Sequence, residues 1–108
     1  LLPSMPVGGS GAFSGCAEVA PKLTIGLYDA RARMDFESAR PLQYKVSQLL
    51  SVRTNNQLCA YVKYAMELMG RSVGETRSPV LPLDSEVKAL VKGTLKSIGV
   101  LEEEPRGW

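Results

Sequence analysis

Val7-Gly8-Gly9-Ser10-Gly11-Ala12-Phe13-Ser14-Gly15 decides how the rest of the chain is read. Ala12-Phe13-Ser14 is the one convincing β-compatible stretch; beyond Pro21 every segment reads as amphipathic helix or proline-bearing loop. A lone strand cannot satisfy its own backbone N–H and C=O groups, and even an isolated two-stranded hairpin is marginal in water. The stretch is therefore expected to belong to a sheet whose other strands lie outside these residues, and to be unpaired or weakly paired without them. The first residue is Leu1 rather than Met, which fits a piece of a longer protein.

Working outward, Leu1 to Pro6 is an apolar connector carrying Pro3 and Pro6. On the other side, Pro21 stands at a natural first helical position. Leu23, Leu27, Ala30 and Met34 then recur at helical spacing, which predicts a helix over 21–34 with these four inward. Asp35 offers an N-cap oxygen for a second helix over 36–52, with Ala39, Leu42, Val46, Leu49 and Leu50 inward. Pro41 lies beyond the first turn of that helix and is expected to kink or split it. Thr54-Asn55-Asn56 is a polar break. A third helix is predicted over 57–69, with Leu58, Val62, Ala65, Met66 and Met69 on its inner face and Gly70 as the residue that ends it.

Arg71 to Leu83 holds Gly74, Pro79 and Pro82 and reads as a surface loop. The last helix, over 85–98, has Asp84 as N-cap, an inward stripe of Val87, Leu90, Val91, Leu95 and Ile98, and Gly99 at its end. Gly93 in its middle suggests close helix packing. Glu102 to Trp108, with Pro105, reads as a flexible acidic tail.

Composition narrows the function classes. With 13 basic and 11 acidic residues among 108, the net charge of +2 supplies no field for nucleic acid or a membrane surface. No apolar run approaches the about 18 residues of a membrane span. Histidine is absent and the two cysteines, Cys16 and Cys59, are far apart, so no metal site and no Ser-His or Cys-His nucleophile is expected. Two reduced thiols suit an intracellular protein. Lys22, Lys45, Lys63, Lys88, Lys92 and Lys96 all fall on predicted helices, none at the end of an apolar strand where desolvation could make a nucleophile. They read as solvated helix-face residues; Lys63, flanked by Val62 and Tyr64, is the one whose role is open. Tyr28, Tyr44, Tyr61 and Tyr64 read as amphipathic packing residues. No catalytic residue is therefore expected within the chain.

The glycines admit three readings. As a dinucleotide fingerprint the spacing is GxGxxxG, one residue too long, with no strand before it. They can instead allow a tight turn and close backbone packing. Or they leave room for a small anionic ligand at the C-terminal end of a strand, the catalytic face of a (β/α)8 barrel.

Two stretches carry a resemblance that bears on the choice. Gly8 to Pro21 resembles the last barrel strand of the dihydrodipicolinate synthase / N-acetylneuraminate lyase family, whose members commonly read GGxGxIS, two residues, then ANVxP. Val62-Lys63-Tyr64-Ala65-Met66-Glu67-Leu68-Met69-Gly70, together with Arg77 to Leu83, is similar to the family's C-terminal helical region, as is the closing Ile98-Gly99-Val100-Leu101. The resemblance implies a mainly α chain made of the last strand of a (β/α)8 TIM barrel plus the C-terminal helical bundle. Its implied divisions are 1–34 for the end of the barrel, 35–101 for the helical region and 102–108 for the tail.

It further implies a class I lyase, or aldolase, that forms a Schiff base between a lysine and pyruvate or a related 2-oxo acid, with no cofactor. The lysine belongs to a strand not represented here, so this segment alone is expected to be inactive. Phe13 takes the place of a family isoleucine lining the 2-oxo-acid pocket and Ser14 matches a common serine, while Gly9 and Gly11, with Gly8, match the preceding turn. Substrate-binding roles are thus expected for Gly9, Gly11, Phe13 and Ser14. Phe13 is bulkier than isoleucine, Glu18 replaces a usual asparagine, and Pro41 is unusual in the family's appended helices. The chemistry stays open among dihydrodipicolinate synthesis, hydroxy-oxoglutarate cleavage and sugar-acid aldol reactions. A homo-oligomer is expected, in the cytoplasm or, in a eukaryote, the mitochondrion. The alternative is a non-catalytic helical interaction or oligomerisation module derived from such a barrel.

Overall fold

A computed structural model describes residues 2–52 and 57–107. A 3-10 turn, Leu2–Val7, leads into an irregular segment over 8–14. Six helices follow: α1 Gly15–Val19, α2 Pro21–Ala32, α3 Phe36–Ser51, α4 Leu58–Leu68, α5 Ser85–Ser97 and α6 Val100–Glu103. The four longer helices stand where apolar periodicity and capping residues predict them. The polar break at Thr54-Asn55-Asn56 lies outside the described residues.

No strand forms among the described residues. Ser14 keeps an extended backbone, φ −146° and ψ 119°, and it serves as N-cap of α1. The barrel strand expected at Ala12-Phe13-Ser14 is therefore not seen, and with no ladder beside it the backbone has nothing to pair with.

The helix boundaries follow local chemistry. Asp35 accepts a hydrogen bond from the Ser38 N–H at 3.1 Å, and Asp84 accepts one from the Val87 N–H at 2.8 Å. Hydrogen bonding from Ser38 also holds the Asp35 carboxyl below its ordinary pKa. Gly70, at φ +77°, closes α4: its N–H donates to Glu67 and that of Arg71 to Met66, which satisfies two terminal carbonyls. Pro41 does not split α3, which runs unbroken through it.

Two boundaries depart from expectation. Helix α2 stops at Ala32, and Met34, expected on its inner face, is 67% exposed with φ 58°. Its N–H donates to Arg31 and that of Asp35 to Ala30, the same helix ending as at Gly70 but without glycine. Residues 102–107, expected as a loose tail, instead fold back on the body. Glu104 is buried there, and the Gly107 N–H donates to Met69 at 2.9 Å.

A single core joins all six helices, with Val19, Leu27, Leu49, Met69, Val91 and Leu95 fully buried. Helix α2 packs along α3, α1 lies across α2 and α4, and α5 sits against α4 and α6. Within the predicted stripes Leu50, Leu58 and Leu90 prove exposed. In α4 the expected Val62 and Ala65 are buried, with Met69 at its C-cap, and Ala60 and Tyr61 are buried with them, so the inner face is wider than the simple apolar pattern. Gly93 does not mark close packing: an added Cβ there would meet no atom within 4 Å.

Candidate functional site

Leu50 and Leu58 are exposed because they border an open cavity of about 560 Å³. Its walls come from the segment Ala12 to Ala17, one face of α2, and the facing turns of α3 and α4. The capped start of α1 fixes the first wall: the Ser14 hydroxyl accepts from the Cys16 N–H at 3.3 Å. Gly15 sits tightly on α4, where an added Cβ would lie 3.3 Å from Val62.

Of the four residues expected to bind substrate, two reach this cavity. Phe13 stands at its lip with its ring fully in solvent, and Ser14 lies half-buried in its wall. Gly9 and Gly11 are not in the lining. Gly9 packs on the 3-10 turn, where its N–H donates to the Ser4 carbonyl at 2.9 Å and a Cβ would collide with Ser4 at 2.8 Å. Its carbonyl accepts from the Arg31 guanidinium, which stands 5.6 Å from the Tyr28 ring. This is the close-packing role for the glycines. Gly11 is exposed, with open space where a Cβ would sit.

The cavity is lined mainly by apolar groups and no lining residue carries a formal charge. Its polar groups are largely engaged. Thr24 donates its hydroxyl to the Ala20 carbonyl at 2.9 Å, and Gln43 donates to Ser47 at 3.3 Å. The Tyr61 hydroxyl donates to the Leu49 carbonyl at 2.9 Å, and burial, with neighbouring Cys16 second, pushes its pKa up to about 12. Tyr61 is thus a protonated wall residue at neutral pH, and sequence periodicity alone did not single it out for this cavity.

The lysines lie elsewhere. Lys63 donates to the carbonyls of Val73 at 3.1 Å and Glu75 at 2.9 Å, so it pins the loop after α4. Lys45 pairs with Glu103 at 3.3 Å across solvent, and Lys88 stands 5.5 Å from the Tyr64 ring. An amine that donates to two backbone carbonyls is occupied, the reverse of a desolvated nucleophile. Neither cysteine forms a disulfide. No helix among the described residues is long and apolar enough to cross a membrane.

A sequence profile for the dihydrodipicolinate synthetase family matches residues 1–98. The chain belongs to that family. It is 37% identical over 101 residues to an uncharacterized DapA-like lyase of Halobacterium salinarum, covering 94% of this chain and 33% of the relative. It is 32% identical over 100 residues to the 4-hydroxy-tetrahydrodipicolinate synthase of Methanocaldococcus jannaschii, covering 93% and 35%. To the enzyme of that name from Methanopyrus kandleri it is 35% identical over 102 residues, covering 94% and 34%. The chain thus spans about a third of the length of these curated relatives. No solved structure matches it.

Membership in the dihydrodipicolinate synthetase family makes this a chain of a lyase family. Phe13 and Ser14 border the apolar opening described above.

Proposed function

We propose that this chain contributes one wall of the active site, and the helical body behind it, to a class I lyase that acts on pyruvate or a related 2-oxo acid. Residues 1–34 are the end of the barrel and 35–101 its appended helical region, with Phe13 and Ser14 at the substrate. The intact protein works as a homo-oligomer in the cytoplasm, in keeping with two cysteines outside any disulfide.

The observation that carries this reading is the pairing of family membership with an uncharged cavity. A Schiff base needs an amine held neutral by desolvation, and binding a 2-oxo acid needs donors for its carboxylate. The amine is not a side chain of this cavity, whose lining has no lysine and no arginine, and its only side-chain oxygen and nitrogen donors are neutral hydroxyls and one amide. The segment therefore shapes and dries the pocket, while the reacting amine comes from residues outside these 108. In such a site Phe13 sets the width of the pocket and Ser14 keeps α1 in register beneath it.

The test is borohydride trapping with pyruvate on the intact protein, with the adduct located by peptide mass spectrometry. The expected result is a stable lysine adduct outside residues 1–108 and none within them. An adduct at Lys63 or another lysine of this chain, formed at enzyme-like rates, overturns the reading. No adduct anywhere would favour the non-catalytic module.

A further inference from the structure

Arg71 and Glu104 are the only charged residues among the described ones that are buried, and neither has a place in the chemistry above. Arg71 donates to three backbone carbonyls. Its Nε reaches Gly107 at 3.2 Å, one terminal nitrogen reaches Pro105 at 2.6 Å, and the other reaches Glu18 in the last turn of α1. A guanidinium can serve three carbonyls at once because its donors are fixed in a planar fork.

Glu104 works from the other side of the same junction. Its carboxylate accepts from the N–H of Lys22 at 2.8 Å and of Leu23 at 2.7 Å. Those are terminal donors of α2, whose N-cap, Ala20, has no side-chain acceptor to offer. A residue 81 positions away thus supplies the missing cap. Charge favours the arrangement at both places, since an anion suits a helix N-terminus and a cation its C-terminus. Arg106, reaching the Leu68 carbonyl at 3.2 Å, and the Gly107–Met69 bond tie the same segment to the end of α4.

We propose that Arg71 and Glu104 form a clasp that positions α1, and through it the Ser14–Cys16 wall of the cavity. The α1–α2 junction, Ala20-Pro21, is gripped on the α1 side by Arg71, at the Glu18 carbonyl, and on the α2 side by Glu104, at the Lys22 and Leu23 N–H groups, so α1 and α2 cannot shift relative to one another without straining or breaking bonds to these charged groups. Arg71 is a positioning residue here, not a catalytic one. The consequence for turnover rests on the cavity being the substrate wall; the positioning of α1 does not.

Thiol labelling separates the two. Cys16, in α1, is 4% exposed, whereas Cys59 is exposed and serves as internal reference. The intact protein and its Glu104→Gln and Arg71→Met variants would be treated with a maleimide under native conditions, each cysteine followed by mass spectrometry. Amide exchange would be read on α1, α2 and α5 in parallel. The expected result is Cys16 labelling at least tenfold faster in both variants, with Cys59 unchanged. Exchange should rise at Lys22 and Leu23 while Val91 and Leu95 in α5 keep their protection. Unchanged Cys16 labelling in Glu104→Gln overturns the proposal. So does faster labelling that comes only with loss of α5 protection, since the two residues would then be holding the whole core together. Either outcome leaves the borohydride result untouched.

Discussion

The Tyr61 hydroxyl donates to the Leu49 carbonyl at 2.9 Å, fastening α4 to α3 directly behind the cavity. Both residues are buried, Leu49 completely, so the carbonyl has no ready route to water once the hydroxyl is gone. Tyr61→Phe should destabilise the chain by about 1–3 kcal/mol, the usual cost of leaving a buried acceptor unpaired. Denaturant unfolding checks it, with an unchanged slope and a lower midpoint.

The same phenol gives an alkaline signature. It titrates near pH 10 in an unfolded chain and at about 12 when buried here. Between these values the unfolded state loses the proton more readily, so stability falls as pH rises. The contribution is whole below pH 10 and lost through pH 12. Urea midpoints for wild type and Tyr61→Phe should therefore converge over that interval. A gap of constant size would show that the phenol is not held protonated by the fold.

Gly93 stands mid-helix in α5, exposed, with nothing within 4 Å of an added Cβ. Gly93→Ala should stabilise by up to about 1 kcal/mol, through helix propensity and a less disordered unfolded chain. That corresponds to a rise in Tm of roughly 4–8 °C for a domain of this size. A fall in Tm would mean that a neighbouring surface covers this face of α5.

Removing a cap should act in the opposite direction. Asp84→Ala deletes the acceptor for the Val87 N–H and should cost about 1 kcal/mol, whereas Asp84→Ser should recover most of it. Amide exchange should quicken first at Val87 and its neighbours. Equal exchange along all of α5 would argue against a local cap.

Phe13 makes no packing contact that its exposure would reveal. Phe13→Ile should accordingly shift Tm by no more than about 2–4 °C, since surface changes usually stay within about 0.5 kcal/mol. In the intact protein it should widen the proposed pocket and alter KM or substrate preference. A larger fall in Tm with unchanged preference would place the ring in an interior layer below the site.

Local chemistry made much of the fold legible in the sequence. Asp35 and Asp84 announce the helices they cap, and Gly70 announces the end of α4, because each acts on residues within one turn. Met34 misled, since its backbone takes a left-handed turn usually given to glycine while its side chain fits the apolar period. Leu50 and Leu58 also fit the period, yet face an opening, and periodicity cannot distinguish a core from a cavity rim. Of the expected site residues, Phe13 and Ser14 border that opening, and Gly9 is occupied with Ser4 and Arg31. The Glu104 cap on α2 was illegible for a plain reason: its partners are about 80 residues away, and nothing near either end reports the other.

Asp35 does two jobs at once. Its own N–H closes the last turn of α2 on Ala30, and its carboxylate opens α3 on Ser38. One residue is thus the last bolt of one helix and the first of the next, and no slack chain separates them. The joint can accept neither an inserted residue nor a deleted one without unfastening both helices. Length variation must settle elsewhere, and the irregular stretch from Ser72 to Pro82 offers the natural place.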